Sequence, residues 1–210
     1  MKDLRSLRYF LGIEVATSST GYLLFQTKYA HDILSRANLT DDNIVDTPFE
    51  LHAKFSTSDG VPLEDPTLYR ELVGYLVYLT VTRPDISYAV HILNQFVSVP
   101  RSTHWAVLLR TLRYLRGTLL QCLLLSASSD LTLRAYVDAD WVGDIFDRKS
   151  TSGLCVFLGD SLISWKNKFV IKEMLALNTT EIVEVSSLIY WVNSVAFRTS
   201  LNYVKFVTFG

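Results

Sequence analysis

The sequence has few of the residues that mark several large classes of protein. Only two of its 210 residues are cysteines, Cys122 and Cys155, and their spacing fits neither a disulfide framework nor a metal-binding pair. Nine glycines and five prolines are too few for a collagen-like or low-complexity chain. No run approaches the roughly 18 apolar residues of a membrane span, and the N-terminus has no signal-peptide pattern. These absences favour a folded protein of a reducing, intracellular compartment, with no membrane partner.

The chain also lacks an excess of charge of either sign. Its net charge is −1, which does not favour nucleic acid as a partner. Basic residues are nevertheless concentrated in one region. Five arginines and only one acidic residue lie between positions 83 and 116. Arg110, Arg113 and Arg116 recur at intervals of three, near one side of a predicted helix. Two interpretations stay open: a solvated helix face, or a small footprint for a phosphate backbone.

Hydrophobic periodicity predicts a hairpin followed by helices in the first part of the chain. Two apolar runs flank a Ser/Thr/Gly turn at 8–26, the pattern of a β-hairpin. Helical spacing then recurs in four stretches: "TKYAHDILSRANL", "TLYRELVGYLVYLTVT", "DISYAVHILNQFVSVP" and "STHWAVLLRTLRYLRGT". Pro84 ends the second of these, since the residue before a proline resists helical geometry.

The period changes from helical to alternating at the polar stretch "SASSD", residues 126–130. Beyond it, "LTLRAYVD" and "SGLCVFLGDSLISWKNK" predict three strands, the last two joined by a turn at Gly159. "TTEIVEVSSLIYWVNSVAF" predicts a long helix, and "YVKFVTFG" a fourth strand of the same sheet. We therefore expect an α+β protein with one region over 1–125 and a mixed sheet carrying one long helix over 130–210.

The stretch "AYVDADWVGD" places three carboxylates, Asp138, Asp140 and Asp144, at and after the end of a predicted strand. Like charges at this density repel one another, and a bound cation would remove the repulsion. The alternative is an ordinary solvated turn.

Seven motifs, in order, resemble the C-terminal part of the Pol polyprotein of copia-type retrotransposons, most of all the plant copies. They are "MKDLRSLRYFLGIEV", "QTKYAHDIL", "LYRELVGYLVYLTVTRPDISYAV", "LRYLRGT", "AYVDADWVGD", "DRKSTSGLCVFLGD" and "LISWKNK". The resemblance implies that residues 1–125 correspond to the end of the reverse transcriptase palm, its thumb and a connecting region. It implies that residues 130–210 correspond to a truncated ribonuclease H domain.

For the carboxylates, the resemblance implies a magnesium site. A ribonuclease H cuts the RNA strand of an RNA–DNA hybrid with two magnesium ions, held by acidic side chains. The first of these ligands corresponds to Asp138. Asp140 belongs to the same motif but would face the other side of the strand, because side chains alternate.

The sequence departs from the family at the remaining ligands. Glu181 keeps the first glutamate of the family's helix motif, but Val183 occupies the position of the expected metal ligand, and Glu184 replaces a tyrosine. The third family aspartate would follow the last strand, and the polymerase aspartates would precede Met1. The sequence therefore predicts a diverged, catalytically inactive remnant, and the resemblance implies an intracellular location, in the cytoplasm or nucleus.

Two alternatives remain beside the inactive remnant. One is a module that binds an RNA–DNA hybrid through Arg110, Arg113 and Arg116. The other is a magnesium-dependent ribonuclease H whose missing ligands come from another Pol fragment.

Overall fold

The computed structural model describes residues 8–50, 59–139, 150–170 and 206–208. The chain divides into two compact units, of which the first comprises Met1–Ala127 with Lys205–Gly210 and the second comprises Ser128–Val204. The described residues form mixed α/β structure, with four α-helices and two antiparallel sheets. None of the described helices is long and apolar enough to cross a membrane.

The first unit opens with three strands, β1 (Tyr9–Phe10), β2 (Ile13–Ser18) and β3 (Gly21–Phe25). β2 and β3 form the predicted hairpin, with Ser18 opposite Gly21 at its closed end. Gly21 lies where a Cβ would meet the carbonyl oxygen of Leu125 at 2.0 Å, so only glycine fits this close approach.

Four helices follow: α1 (Thr27–Ala37), α2 (Thr67–Leu79), α3 (Ser87–Gln95) and α4 (Ser102–Gly117). A short 3₁₀ turn over Pro84–Ile86 separates α2 from α3. Arg83 has the non-helical dihedrals φ −123° and ψ 73°, as predicted for the residue before a proline. Strand β4 (Gln121–Ser126) then returns to pair with β3.

The helices enclose the main core of the first unit. Their apolar residues recur at helical spacing, so each helix turns one stripe inward. The side chains that are less than 1% exposed include Tyr69, Leu72, Leu76, Leu79, Ile86, Leu108, Leu112 and Leu115.

Gly117 is the last residue of α4. A Cβ on Gly117 would lie 2.4 Å from a methyl carbon of Ile44. This glycine is therefore required by the close passage of another segment.

The second unit contains a three-stranded antiparallel sheet in the order β5 (Leu133–Ala139), β6 (Ser150–Leu158) and β7 (Ser161–Val170). β5 pairs with β6 over seven residue pairs, from Leu133 opposite Leu158 to Ala139 opposite Ser152. This pairing confirms that "LTLRAYVD" and "SGLCVFLGD" are neighbouring antiparallel strands. Gly159 forms the β6–β7 turn with φ +56°. The predicted long helix lies outside the described residues.

The last described strand, β8 (Phe206–Thr208), pairs antiparallel with β4 and so extends the first sheet. The strand itself was predicted, but the prediction that it joins the sheet after the linker was wrong. Without β8, the side of β4 away from β3 would be an unpaired sheet edge, and such an edge can pair with any extended segment, whatever its position in the chain.

Candidate functional site

Asp138 is the one predicted metal ligand that lies within a described element. It is the next-to-last residue of β5. Register places it opposite Gly153 of β6, and Gly153 opposite Asn167 of β7, so the three form one row across the sheet. Among the described residues, no group of three or more His, Cys, Asp or Glu side chains could hold a metal ion.

The other predicted site residues of the second unit lie outside the described residues. They are Asp140, Asp144, Glu181, Val183 and Glu184. The assignment of Asp138 as a magnesium ligand therefore stays a prediction from the family motif, as does the loss of the second ligand at Val183.

The three arginines of α4 contact the segment 41–50, which crosses over this helix. Arg110 donates from Nη1 to the carboxylate of Glu50 at 3.1 Å and from Nη2 to Thr47 Oγ1 at 2.9 Å. Arg116 donates from Nη2 to the backbone carbonyl of Asn43 at 2.6 Å. These contacts fix the crossing segment, which has no regular secondary structure of its own.

Asp41 is the centre of this group. Arg113 donates two parallel hydrogen bonds to its carboxylate, from Nη2 at 2.7 Å and from Nε at 3.1 Å. Arg116 donates a further hydrogen bond to this carboxylate from Nη2 at 3.3 Å. The bonds from Arg113 are the main cause that lowers the pKa of Asp41 to about 2. Asp41 raises the pKa of Arg113 in return. We call Arg110, Arg113, Arg116, Asp41 and Glu50 the surface arginine cluster.

The contacts within the surface arginine cluster determine how readily its arginines could bind nucleic acid. All three guanidinium groups already donate to oxygen atoms of the same chain, and Arg113 and Arg116 share one carboxylate. A phosphate would have to compete with these intramolecular partners. Binding of nucleic acid by these arginines stays a prediction.

A fourth arginine, Arg83, lies in the interior of the first unit. Arg83 is 2% exposed and pairs with Asp85 at 2.7 Å. Its remaining donors reach Thr118, from Nη1 to the backbone carbonyl at 2.9 Å and from Nη2 to Oγ1 at 2.6 Å. Tyr114 donates its hydroxyl to Asp85 at 2.9 Å. We call these four residues the buried arginine network.

Burial and charge oppose each other in the buried arginine network. Burial is the largest single influence on Arg83 and by itself would lower its pKa, but the charge and hydrogen bonds of Asp85, together with those of Tyr114, outweigh burial, so the pKa rises. Burial, followed by the charge of Asp85, raises the pKa of the Tyr114 hydroxyl, which stays protonated. The network joins the turn between α2 and α3 to the end of α4, directly before β4.

Sequence reasoning missed the buried arginine network. It counted Arg83 among the local basic residues and used Pro84 as the end of a helix, without pairing Arg83 with Asp85. The available signal was an arginine and an aspartate on either side of one proline, between two strongly apolar helices. A charge in such a place must be paired if it is buried.

The fold and the motifs together define a class of protein: a mixed α/β chain that carries, in order, the sequence motifs of a retroelement Pol. Comparison with known proteins then identifies the family. The chain is 43% identical over 197 residues to the Retrovirus-related Pol polyprotein from transposon RE1 of Arabidopsis thaliana, and 37% identical over 192 residues to that from transposon TNT 1-94 of Nicotiana tabacum. It is also 44% identical over 168 residues to an uncharacterized mitochondrial protein of Arabidopsis thaliana.

The chain belongs to the family of plant-like, copia-type Pol polyproteins. The matches to the RE1 and TNT 1-94 polyproteins cover 92% and 86% of the chain, but only 13% and 14% of those two relatives. The match to the mitochondrial protein covers 80% of the chain and 70% of that relative. No family model and no solved structure matches the chain.

Proposed function

We propose that this chain is the part of a copia-type Pol polyprotein that joins the end of the reverse transcriptase to the start of the ribonuclease H domain. We further propose that it cleaves no nucleic acid on its own. The observation that carries the first part is the antiparallel β5–β6–β7 sheet, with Asp138 near the end of its first strand. A ribonuclease H domain begins with the same three-stranded arrangement and takes its first metal ligand from the same place.

The proposed lack of cleavage rests on the ligand count that two-metal chemistry requires. Two divalent ions must be bridged and held by several carboxylates, so that one ion activates the attacking water and the other stabilises the leaving oxygen. Within the family motifs that this sequence carries, Asp138 matches an expected ligand, whereas Val183 stands at the position of the family's glutamate. A valine offers no oxygen to a hard cation such as Mg²⁺.

Hybrid cleavage tests this proposal directly. The purified chain is incubated with a labelled RNA–DNA hybrid and Mg²⁺, beside an active ribonuclease H as the positive control. We expect no cleavage above the level of the buffer blank. Val183→Glu alone should not restore activity, because two carboxylates still leave the second ion poorly held.

One outcome would overturn the proposal. If the unmodified chain cleaves the hybrid and Asp138→Asn abolishes that cleavage, then Asp138 is a working ligand, and Glu181 or Glu184 supplies the second carboxylate. Cleavage that survives Asp138→Asn would come from a contaminating nuclease, which the same variant therefore detects.

We also infer that the three arginines of α4 have a structural role in this protein. Arg110, Arg113 and Arg116 neutralise Asp41 and Glu50 and hold the crossing segment against α4. This role explains their spacing without a nucleic-acid partner, because a period of three keeps successive side chains near one side of a helix.

A further inference from the structure

A groove between α1 and α2 is lined by aromatic and charged side chains. It has a volume of about 580 Å³, and its lining residues are Tyr29, Asp32, Ile33, Ser35, Arg36 and Tyr75. Most of them come from α1, at the i, i+3, i+4 and i+7 spacing that keeps side chains on one face of a helix. Tyr75 lies on α2 and meets the ring of Tyr29 edge to face, with ring centroids 6.3 Å apart. The α1–α2 groove therefore has an aromatic wall to which both helices contribute.

One guanidinium group already lies at this wall, and it belongs to the chain itself. The guanidinium carbon of Arg36 is 5.1 Å from the centroid of the Tyr75 ring, and its Nη1 donates to Glu71 Oε1 at 2.8 Å. Tyr75 donates its hydroxyl to the same carboxylate oxygen at 2.6 Å. Glu71 and Tyr75 are one turn apart on α2. Together they hold a guanidinium through a cation–π contact and a charge-assisted hydrogen bond.

Arg36 uses only part of what Glu71 offers. A guanidinium can donate two parallel hydrogen bonds to one carboxylate, as Arg113 does to Asp41. Arg36 donates a single hydrogen bond, and Glu71 Oε2 accepts none from the described residues. The side chains of Arg36 and Glu71 are also 57% and 38% exposed, and an ion pair so open to water contributes little to stability. A second guanidinium that bonds to both oxygens of Glu71 can therefore displace Arg36.

A second carboxylate offers Arg36 another partner. Asp32 lies four residues before Arg36 on α1, which is the favourable order of acid and base for an ion pair on a helix surface. Within the described part of the chain, Asp32 forms no ion pair. A move of Arg36 from Glu71 to Asp32 exchanges one exposed ion pair for another, so its net cost is small. The move leaves Tyr75 and Glu71 open to a cation from outside.

We propose that Tyr75 and Glu71 form a binding site for an arginine side chain of a partner protein, and that Arg36 occupies this site until the partner binds. Charge favours such a ligand, because the carboxylates of Asp32 and Glu71 outnumber the one guanidinium of Arg36. A guanidinium suits the site better than the ammonium of a lysine, since it is planar, stacks on a ring and bonds to both carboxylate oxygens. The volume of about 580 Å³ also leaves room for the residues on either side of the arginine.

Titration of the full chain with short peptides tests the proposal. The probe is the end-blocked peptide Gly-Gly-Arg-Gly-Gly, and the matched peptide has lysine in place of arginine. Binding is followed by NMR of ring-labelled tyrosine, with Tyr75→Phe and Tyr29→Phe used to assign the two signals. We expect the arginine peptide to shift the signals of Tyr75 and Tyr29, and to bind about threefold or more tightly than the lysine peptide.

The decisive variant is Arg36→Ala, which removes the internal occupant. It should raise the affinity for the arginine peptide about threefold or more, since the peptide no longer competes with Arg36. Lys28→Ala is the matched control, because it removes one positive charge from the same helix, and Lys28 does not line the α1–α2 groove. Both side chains are exposed, so both variants should fold. Lys28→Ala should bind the peptide as the unmodified chain does.

Two further variants test the roles of the carboxylates. Glu71→Gln keeps the acceptor for the Tyr75 hydroxyl but removes the charge, so it should weaken binding about threefold or more. Asp32→Asn removes the second partner of Arg36 and should weaken binding as well.

Several results would overturn the proposal. It is wrong if the arginine peptide leaves the Tyr75 signal unchanged, or if the lysine peptide binds as tightly. It is wrong if Arg36→Ala binds no more tightly than Lys28→Ala, or if Glu71→Gln or Asp32→Asn binds as the unmodified chain does. Methylguanidinium is the last probe. If it binds as tightly as the arginine peptide, the site takes a free cation and not a side chain of a partner protein.

Discussion

Arg83 and Arg113 each pair with an aspartate at 2.7 Å, yet their surroundings differ. The side chains of Arg83 and Asp85 are 3% and 8% exposed, whereas those of Arg113 and Asp41 are 28% and 31% exposed. An ion pair in the interior has lost the water that would otherwise solvate each charge, so each partner depends on the other. An ion pair at the surface retains water and is screened by salt.

The difference also concerns what each pair holds together. The buried arginine network joins two helix ends and the start of β4, at the junction between the helices and the first sheet. The surface arginine cluster holds a crossing segment onto one helix. We therefore expect loss of the buried partner to destabilise the whole first unit, and loss of the surface partner to release mainly one segment.

The largest effect is expected from Asp85→Ala. It leaves the Arg83 charge buried without a counter-charge and removes the acceptor of the Tyr114 hydroxyl. Removal of one partner of a buried pair costs about 3–5 kcal/mol. The measurement is urea unfolding of the full chain, followed by the helical circular dichroism signal, because the described helices belong to the first unit.

A double variant separates the uncompensated charge from the lost packing. Arg83→Met in the Asp85→Ala background removes the stranded charge and keeps an apolar chain of similar length, so about half of the loss or more should be recovered. A loss below about 1 kcal/mol for Asp85→Ala alone would mean that Arg83 is not buried as the structure has it.

The same comparison shows what sequence reasoning could reach. The hairpin, the helices and the end of α2 before Pro84 all follow from local signals, because periodicity and proline geometry act over a few residues. The pairing of β8 with β4 does not, since it depends on which sheet edge is free in the folded chain. For this reason the strand was predicted and its partner was not.

For the candidate site, too, the sequence predicted some features and not others. The spacing of Arg110, Arg113 and Arg116 identified a common face of α4, but not its partners, because Asp41 lies 72 residues before Arg113. Asp138 was found through the family motif, and β5 places it near a strand end as the motif implies.

A smaller effect is expected from Asp41→Asn in the surface arginine cluster. The amide keeps the shape of the carboxylate but loses its charge, so the bonds from Arg113 and Arg116 weaken. The shift in urea midpoint should be at most about a quarter of that of Asp85→Ala. Added salt should shrink the difference between Asp41→Asn and the unmodified chain, while the Asp85→Ala difference persists. Equal salt sensitivity of the two variants would remove the distinction between buried and surface pairs.

The smallest effect on stability is expected when the pH is lowered. Acid protonates Asp41 and so removes its charge without changing the sequence. The pKa of Asp41 is about 2 in the folded chain, below the value of about 3.9 for an unperturbed aspartate. A lowered pKa means that the contribution to stability is complete above the unfolded value and is lost as the pH falls through the folded one. The urea midpoints of the unmodified chain and Asp41→Asn should therefore differ at about pH 6 and converge between about pH 4 and pH 2. Taking the difference between the two chains cancels the other carboxylates, Asp65 among them, whose pKa is also lowered, mainly by its hydrogen bond with the Thr67 side chain. A difference that stays constant down to about pH 2 would show that Arg113 and Arg116 hold the crossing segment through neutral contacts alone.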